Sequence, residues 1–509
     1  MANKHIMKKL FYIIPFFFQI VQTIAQPGSL DNSFNGTGYV ITSISPSHDR
    51  CYCLVIQPDG KIILAGTKAD TAIALVRYNN DGSLDNSFGS NGISVTYIES
   101  ATSNVLGITL QNDGKIMITG YSKTFSSGHD FLIGRYNSNG SLDSTFGING
   151  FSKTSITSSE MADGIAIQQD GKYVIAGYFY NGVDWEIAIL RYKTNGIIDS
   201  TFGINGIVAT EIPDYSNEDA YRVIVQPDGK IIVCGDACNA TNFDFALLRY
   251  NYDGSLDSSF GTNGYSITDF GWQEIAYSFA FTQDDKIIAA GYSSQSSTSR
   301  YFALAQYDLS GKIDSTFGIN GKVTTTSCPP ISTSRGMGIQ SDGKIVAVGD
   351  GSDSIVIVRY NKNGSQDTSF GFNGIVTELI GNWNTVWDVA IQSDDKILVA
   401  GYSYTSLNKL DFFVARFNSG YTGLFESSKN DYLIIYPNPA TDKIVVSTSQ
   451  FSDMQNSVLT IQNIQGQLLL KKTFIKDKQE IDIHDLAKGI YFVRLCNKEK
   501  TFVTKILKE

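Results

Sequence analysis

Internal repetition constrains this chain more than any other feature. The signature GSLDNSFNGTG at 28–38 returns at 82–92, 140–150, 196–206, 254–264, 311–321 and 364–374, at intervals of 53 to 58 residues. A second signature, IQPDGKIILAG at 56–66, alternates with it and recurs up to Gly120, Gly177, Gly235, Gly291, Gly349 and Gly401. A third closes each unit, as ALVRYN at 74–79 and VARFN at 414–418. A repeat of this length means one supersecondary unit stacked many times, because a single copy cannot bury its own apolar face.

Each unit reads as four short apolar runs. In the fourth these are GIVAT at 206–210, YRVIVQ at 221–226, KIIVCG at 230–235 and FDFALLRY at 243–250. Asp228-Gly229 joins the middle two as a hairpin turn, since glycine accepts positive φ without a Cβ clash. Two copies place Asp285 and Asp395 at the glycine position, and Asp tolerates left-handed backbone. Four strands in about 55 residues, repeated, is the pattern of a β-propeller blade.

The linker count argues for closure. Seven units in an open row need six internal linkers, but the first signature occurs seven times, with one copy ahead of the first unit. In a ring that copy fills the joint between unit seven and unit one, and no sheet edge is left open. The linker is expected to carry the chain from the last run of one unit to the first run of the next. Its phenylalanines (Phe34, Phe88, Phe146, Phe202, Phe260, Phe317, Phe370) are expected as wedges between blades, each worth about 1.5–3 kcal/mol of burial. Asp85 and Asp257, just before the wedge, are expected to accept backbone N–H groups. The pattern leaves open which run lines the central channel.

The pattern stops after Phe417. Residues 419–430 read as a linker, and 431–509 as a smaller β unit with apolar runs split by Asn-Pro, Gln-Gly and Lys-Gly turns. The fold class is therefore all-β: a seven-bladed propeller over 26–418 followed by a small Ig-like sandwich of about seven strands. Residues 1–25 read as a signal peptide. Lys4, Lys8 and Lys9 precede the apolar run LFYIIPFFFQIV, and Thr23 and Ala25 supply the small residues before cleavage. That run is too short for a membrane-spanning helix, so no transmembrane helix is expected in the mature chain.

The tail closely resembles the type A C-terminal sorting domain of the type IX secretion system. The match rests on Tyr436, Pro437, Asn438 and Pro439, on Gly466, on Gly489, Ile490 and Tyr491, and on the lysine-rich terminus. The resemblance implies handling by the type IX machinery of a Gram-negative bacterium. The destination it implies is the outer-membrane surface or the medium. The copies of GSLDxSFGxxG are similar to the delta-60 family of propeller repeats, a likeness that implies a fold and no activity.

The net charge of −10 argues against nucleic acid or an anionic membrane as partner. Cys51, Cys53, Cys234, Cys238, Cys328 and Cys496 are few and irregular, and read as small buried residues; Cys234 and Cys238 are placed to bridge across a turn. Asn79-Asn80-Asp81-Gly82 echoes a calcium loop, but its first ligand position falls on Arg77, which cannot ligate a cation. Ser83 to Phe88 is one residue short of a sialidase-type Asp box. The repeated Arg-Tyr pair is expected to cover apolar surface or to pair with a neighbouring unit's Asp. No Ser-His-Asp set, HExxH motif, metal constellation or cofactor fingerprint is present.

A ring has one functional site, so its residues must break the repeat. Asp184, Trp185 and Glu186 do so, as do Trp272, Trp383, Trp387 and the stretch EIPDYSNED from Glu211 to Asp219. These are the candidate ligand loops. The functional expectation is a non-catalytic binding module for a glycan or protein. The alternatives are a carbohydrate-active enzyme, in which two carboxylates would face a sugar, and a structural envelope component.

Overall fold

Seven four-stranded antiparallel sheets follow one another along the computed structural model. The described residues are 26–98, 101–124, 128–296, 299–328, 333–405, 409–420, 433–448, 454–463, 468–497 and 501–508. The expected signal peptide and Gly466 lie outside them. The chain divides into two compact units, 1–420 and 421–509.

Blade three shows the common plan: Glu160–Ile167, Tyr173–Tyr180, Trp185–Tyr192 and Ile207–Thr210 pair in chain order. The two middle strands bury both faces between neighbouring blades, which is why KIILAG-type and ALVRY-type runs are continuously apolar rather than alternating. The hairpin turns form as expected. Gly60 has φ +85°, and Asp285 and Asp395 take the same left-handed geometry at +59° and +60°.

The blade frame differs from the sequence expectation. Ile187 lies opposite Thr210, so GIVAT is the outer strand of blade three and not the first strand of blade four. The linker does not cross between blades. Asp199 N–H donates to the Arg191 carbonyl at 2.8 Å and Arg191 N–H to the Gly206 carbonyl at 3.0 Å. These bonds fold the linker back onto the strand it has just left. The crossing is made by the short stretch 211–215 between Ile207–Thr210 and Ser216–Val225.

Closure is achieved by the leading segment, which supplies both a linker and a strand. Tyr39–Thr42 is the outer strand of blade seven, with Tyr39 opposite Ala415 and Thr42 opposite Phe412. Phe34 is fully buried among Leu398, Phe412 and Val414 of blade seven and Ile62, Leu64 and Val76 of blade one. The linkers are also tied to one another. Asn35 N–H donates to the Asp81 carbonyl, and Gly89, Gly147, Gly203, Gly261 and Gly318 donate in turn to Asn139, Asn195, Asp253, Ser310 and Asn363. Gly371 then donates to Pro27 at 2.9 Å, completing the circle.

Every linker but that of blade five, where Gln306 replaces the arginine, carries the same charged knot. Arg77 Nε donates to Asp85 at 2.8 Å, Lys61 Nζ reaches the same carboxylate at 2.8 Å, and the Arg77 guanidinium lies 4.5 Å from the centre of the Phe88 ring. Asp85 also accepts the Ser87 N–H at 3.1 Å, as expected of a turn-forming Asp. The arginine's carboxylate belongs to the linker of its own blade; what it takes from the next blade is a carbonyl, that of Ser138. Asp81 accepts the Ser83 N–H and hydroxyl, and so closes a turn.

The second unit has two sheets. Ile434–Tyr436, Lys443–Ser447 and Lys478–Asp482 form one, and Ser457–Asn463, Leu468–Phe474, Gly489–Cys496 and Thr501–Lys508 form the other. They share a core that includes Ile444, Val446, Leu459, Ile461, Ile481, Val493 and Ile506. The Tyr436 to Pro439 motif opens this unit. Asn438 Oδ1 accepts the Leu507 N–H at 2.9 Å, tying the motif to the last strand. Tyr491 donates its hydroxyl to the Ala487 carbonyl at 2.6 Å.

Candidate functional site

The first strand of each blade packs against its counterparts in both neighbouring blades around the whole ring, so these seven strands line the axis. All seven carry a bulge at the same place. In blade four the pairing passes from Ala220–Gly235 to Arg222–Cys234, leaving Tyr221 as the extra residue. The extra residues elsewhere are Tyr52, Leu106, Asp163, Tyr277, Arg335 and Trp387. A bulge re-aims one side chain without ending the strand.

The repeat dictates the bulge and leaves its cargo free. The closing glycine of the second signature lies opposite it in every blade. A Cβ on Gly235 would stand 1.7 Å from the Asp219 carbonyl oxygen, and one on Gly66 1.9 Å from that of Arg50. Only glycine fits there. The residue fourteen positions before each of these glycines is the bulge, and it varies from blade to blade.

Five of the seven bulge residues, those of blades four, five, six, seven and one, follow one another in contact around the channel. The Tyr221 and Tyr277 rings are 4.8 Å apart, and Tyr52 meets Trp387 edge-on at 4.8 Å. Arg335 joins these pairs, 4.5 Å from Trp387 and 6.0 Å from Tyr277. A second layer comes from the residue after each signature glycine. Tyr178 lies 6.1 Å from Tyr221, Tyr292 6.1 Å from Tyr277, and Tyr402 6.1 Å from Tyr52. One layer in along the axis, Arg222 of blade four donates to Asp388 of blade seven at 2.6 Å, and Asp388 accepts the Leu54 N–H of blade one at 3.0 Å. This ion pair bridges the ring beside the aromatic belt.

Charge is distributed unevenly around the belt. Asp163, Asp219 and Asp236 lie on blades three and four, while Arg300 and Arg335 lie on blades five and six, where Asp350 stands 3.6 Å from Arg335. Burial pushes Asp163 up to about 8, with Asp219 adding to the effect. Burial also raises Asp219, against the Tyr221 hydrogen bond, and raises Asp236, where the neighbouring Asp219 adds to the effect. Glu218 belongs to a different layer: it accepts the Ile212 N–H and caps the crossing loop, as Glu160 and Glu274 do in their blades.

The candidate residues from sequence divide accordingly. Trp387 is a bulge residue. Trp383 lies 6.2 Å from Tyr402, and Trp185 5.4 Å from Tyr178, so both extend the belt. Asp184 and Glu186 both accept hydrogen bonds from the Asn181 side chain, which closes their hairpin. Trp272 is 49% exposed, and its backbone N–H donates to the Glu274 carboxylate at 3.0 Å; no aromatic partner faces its ring among the described residues. Asp244, Asp269 and Glu274 bring oxygens within 4.8 Å of one another. Asp244 and Glu274 already accept hydrogen bonds from Asn239, Asn242, Phe270, Trp272 and Ser293. Sequence reasoning missed Tyr52, Asp163, Tyr221, Tyr277 and Arg335. Their signal is the variable column fourteen residues before each glycine. The six cysteines are free, and Cys234 and Cys238 lie on one strand with no turn between them. Open clefts of about 800 Å³ lie away from the axis, one of them lined by Tyr97, Leu142, Ile148 and Phe151.

Seven stretches, 57–88, 111–146, 168–202, 226–260, 282–317, 340–370 and 392–420, match a β-propeller domain of unknown function (DUF5122). Residues 434–509 match a secretion system C-terminal sorting domain. No curated protein sequence matches the chain. Among solved structures it is similar to PorZ of Porphyromonas gingivalis, an essential surface component of that bacterium's type IX secretion system. The two are 12% identical with a TM-score of 0.40, over 90% of this chain and 59% of PorZ. It is also similar to a protein from Lactobacillus plantarum, at 10% identity and TM-score 0.43, over 85% of this chain and 98% of that one. The chain thus spans 59% of the length of PorZ. No helix among the described residues is long and apolar enough to cross a membrane. The sorting domain implies export to the cell surface or secretion. Seven matched repeats around one axis, followed by that tail, make the chain a seven-bladed DUF5122-type β-propeller carrying a type IX sorting domain.

Proposed function

We propose that the exported chain is a non-catalytic binding module, held at the outer surface of a Gram-negative cell or released from it, and that its ligand is a glycan. The supporting observation is the belt of half-buried rings, Tyr178, Tyr221, Tyr277, Trp387, Tyr52 and Tyr402, interrupted by Arg335 and the blade-four acids. Aromatic faces suit the apolar faces of sugar rings, and a few polar groups among them fix orientation. The site departs from the repeat, as a single ligand on a ring requires.

The catalytic alternative fits less well. Asp219 and Asp236 are cross-strand neighbours on one sheet, with Cβ atoms about 5 Å apart. They stand side by side, whereas glycoside cleavage uses carboxyls flanking the bond. A glycan array probed with the mature protein tests the reading. Binding to a defined glycan class is expected, weakened at least tenfold in Trp387→Ala and in Tyr221→Ala. Array-wide silence from folded protein, or undiminished binding by both variants, contradicts it. Released sugar products would favour the enzyme.

A further inference from the structure

Asp236 occupies a position that four other blades fill with tyrosine: Tyr121, Tyr178, Tyr292 and Tyr402. It is 1% exposed, and neither of its carboxylate oxygens has a well-formed hydrogen bond; the Tyr221 hydroxyl, which bonds Asp219, is the one donor that eases its burial. Beside it, Asp219 Oδ1 is also unpartnered; the other oxygen accepts the Tyr221 hydroxyl at 3.2 Å. From blade three the bulge brings in Asp163, whose Oδ2 has no partner either. Buried carboxyls in a protein interior are normally satisfied, and three beside one another with open oxygens call for a cationic partner.

The protein does not supply that partner. Arg222 acts on Asp163 through its charge, and Asp388 already neutralises it at 2.6 Å. Arg335 lies one blade beyond Tyr277 and stacks on Trp387. What surrounds the acids instead is aromatic: Tyr178, Tyr221 and Tyr277, whose rings follow one another at 6.1 and 4.8 Å. Aromatic faces combined with carboxylates form the recognition chemistry of an ammonium group.

We infer that the blade-three and blade-four side of the channel is an ammonium subsite built from Asp163, Asp219, Asp236, Tyr178 and Tyr221, and that the glycan it takes carries free amines. This rests on the glycan reading above and narrows it to an amino sugar that is not acetylated. Without ligand the three carboxyls retain protons, since burial raises each of them. The other groups facing them are Glu218, which adds to the effect on Asp236, the thiols of Cys234 and Cys238, the hydroxyls of Tyr178, Tyr221 and Tyr277, and the Arg222–Asp388 pair. Binding an ammonium therefore expels protons from the cluster, and affinity falls away both in acid, where the carboxyls hold their protons, and in alkali, where the amine loses its own.

Calorimetry on the mature protein tests this with two β-1,4-linked oligomers of equal length, one of glucosamine and one of N-acetylglucosamine. The amine oligomer is expected to bind at least tenfold tighter at about pH 6.5, where its amines still carry protons, with a buffer-dependent enthalpy that reports proton release. Asp236→Asn should erase the difference between the two oligomers. Asp163→Asn, a change at a half-buried bulge, serves if the first variant does not fold. Equal affinity for both oligomers overturns the ammonium inference and leaves the glycan reading standing. Binding of neither oligomer by a protein that takes a neutral glycan on the array overturns it too. A lysine-rich peptide binding tighter than the amine oligomer overturns the glycan source.

Discussion

Arg416 donates through Nε to Asp31 at 2.7 Å, joining residues 385 positions apart in the chain. The same bond forms within every other linker that carries an arginine, where donor and acceptor are eight residues apart, as for Arg77 and Asp85. The ring is thus closed by the chemistry that shapes each blade. Asp31→Asn removes one partner of a nearly buried pair and is expected to cost about 3 kcal/mol. Chemical denaturation of the mature protein, with a double-mutant cycle to Arg416→Gln, measures it.

Blade five lacks the arginine. Gln306 stands in its place, and Asp314 pairs only with Lys286, at 3.0 Å. Gln306→Arg is expected to restore the knot, with Phe317 below the guanidinium, and to stabilise the protein by about 1 kcal/mol. A raised melting temperature checks it.

Two kinds of glycine in one signature should respond oppositely. Gly235→Ala places a Cβ against the Asp219 carbonyl oxygen, so the bulge cannot persist; a loss of about 4 kcal/mol is expected. Gly60→Asp should cost less than about 1 kcal/mol, because aspartate already holds that turn at Asp285 and Asp395. Denaturation midpoints of the pair separate a requirement for space from one for backbone angle.

Stability should peak in mild acid. Burial pushes Asp31 up, but Lys396, Ser33 and Arg416 outweigh it and hold the carboxyl at about 2. The unfolded chain protonates near 4, so this contribution is full above that pH and is lost as pH falls towards 2. Asp163, raised to about 8 by burial, behaves in the opposite sense. Its contribution is full below about pH 4 and is lost as pH rises through 8; Glu218 and Glu274, raised to about 7 by burial, act likewise. The melting temperature is expected to be highest at about pH 4–6, with the alkaline decline reduced in Asp163→Asn. A steady rise from pH 4 to 8 would contradict this assignment.

What the sequence revealed follows from what repeats. The seven phenylalanine wedges, the Asp-Gly turns and the extra leading linker are local signals, and all appear in the structure. The blade frame was not legible, because a ring of four-run units can be cut at any run; only the pairing of Ile187 with Thr210 places GIVAT. The channel residues were hidden for the opposite reason. Tyr221 and Arg335 share a column but no chemistry, and the bulge that unites them is a backbone event. Trp383 and Trp387 stood out as rare residues in a deviant stretch, whereas Trp272 stood out equally and lies on a capped loop.

Tryptophan emission tests the central claim, that the ligand is held by side chains the bulges carry inward. The chain has four tryptophans, so a variant retaining only Trp387 and another retaining only Trp272 report the two places separately. Titrated with the glycan selected on the array, the Trp387 reporter is expected to shift saturably while the Trp272 reporter stays flat. A shift at Trp272 alone would move the site to the rim loops and contradict the account.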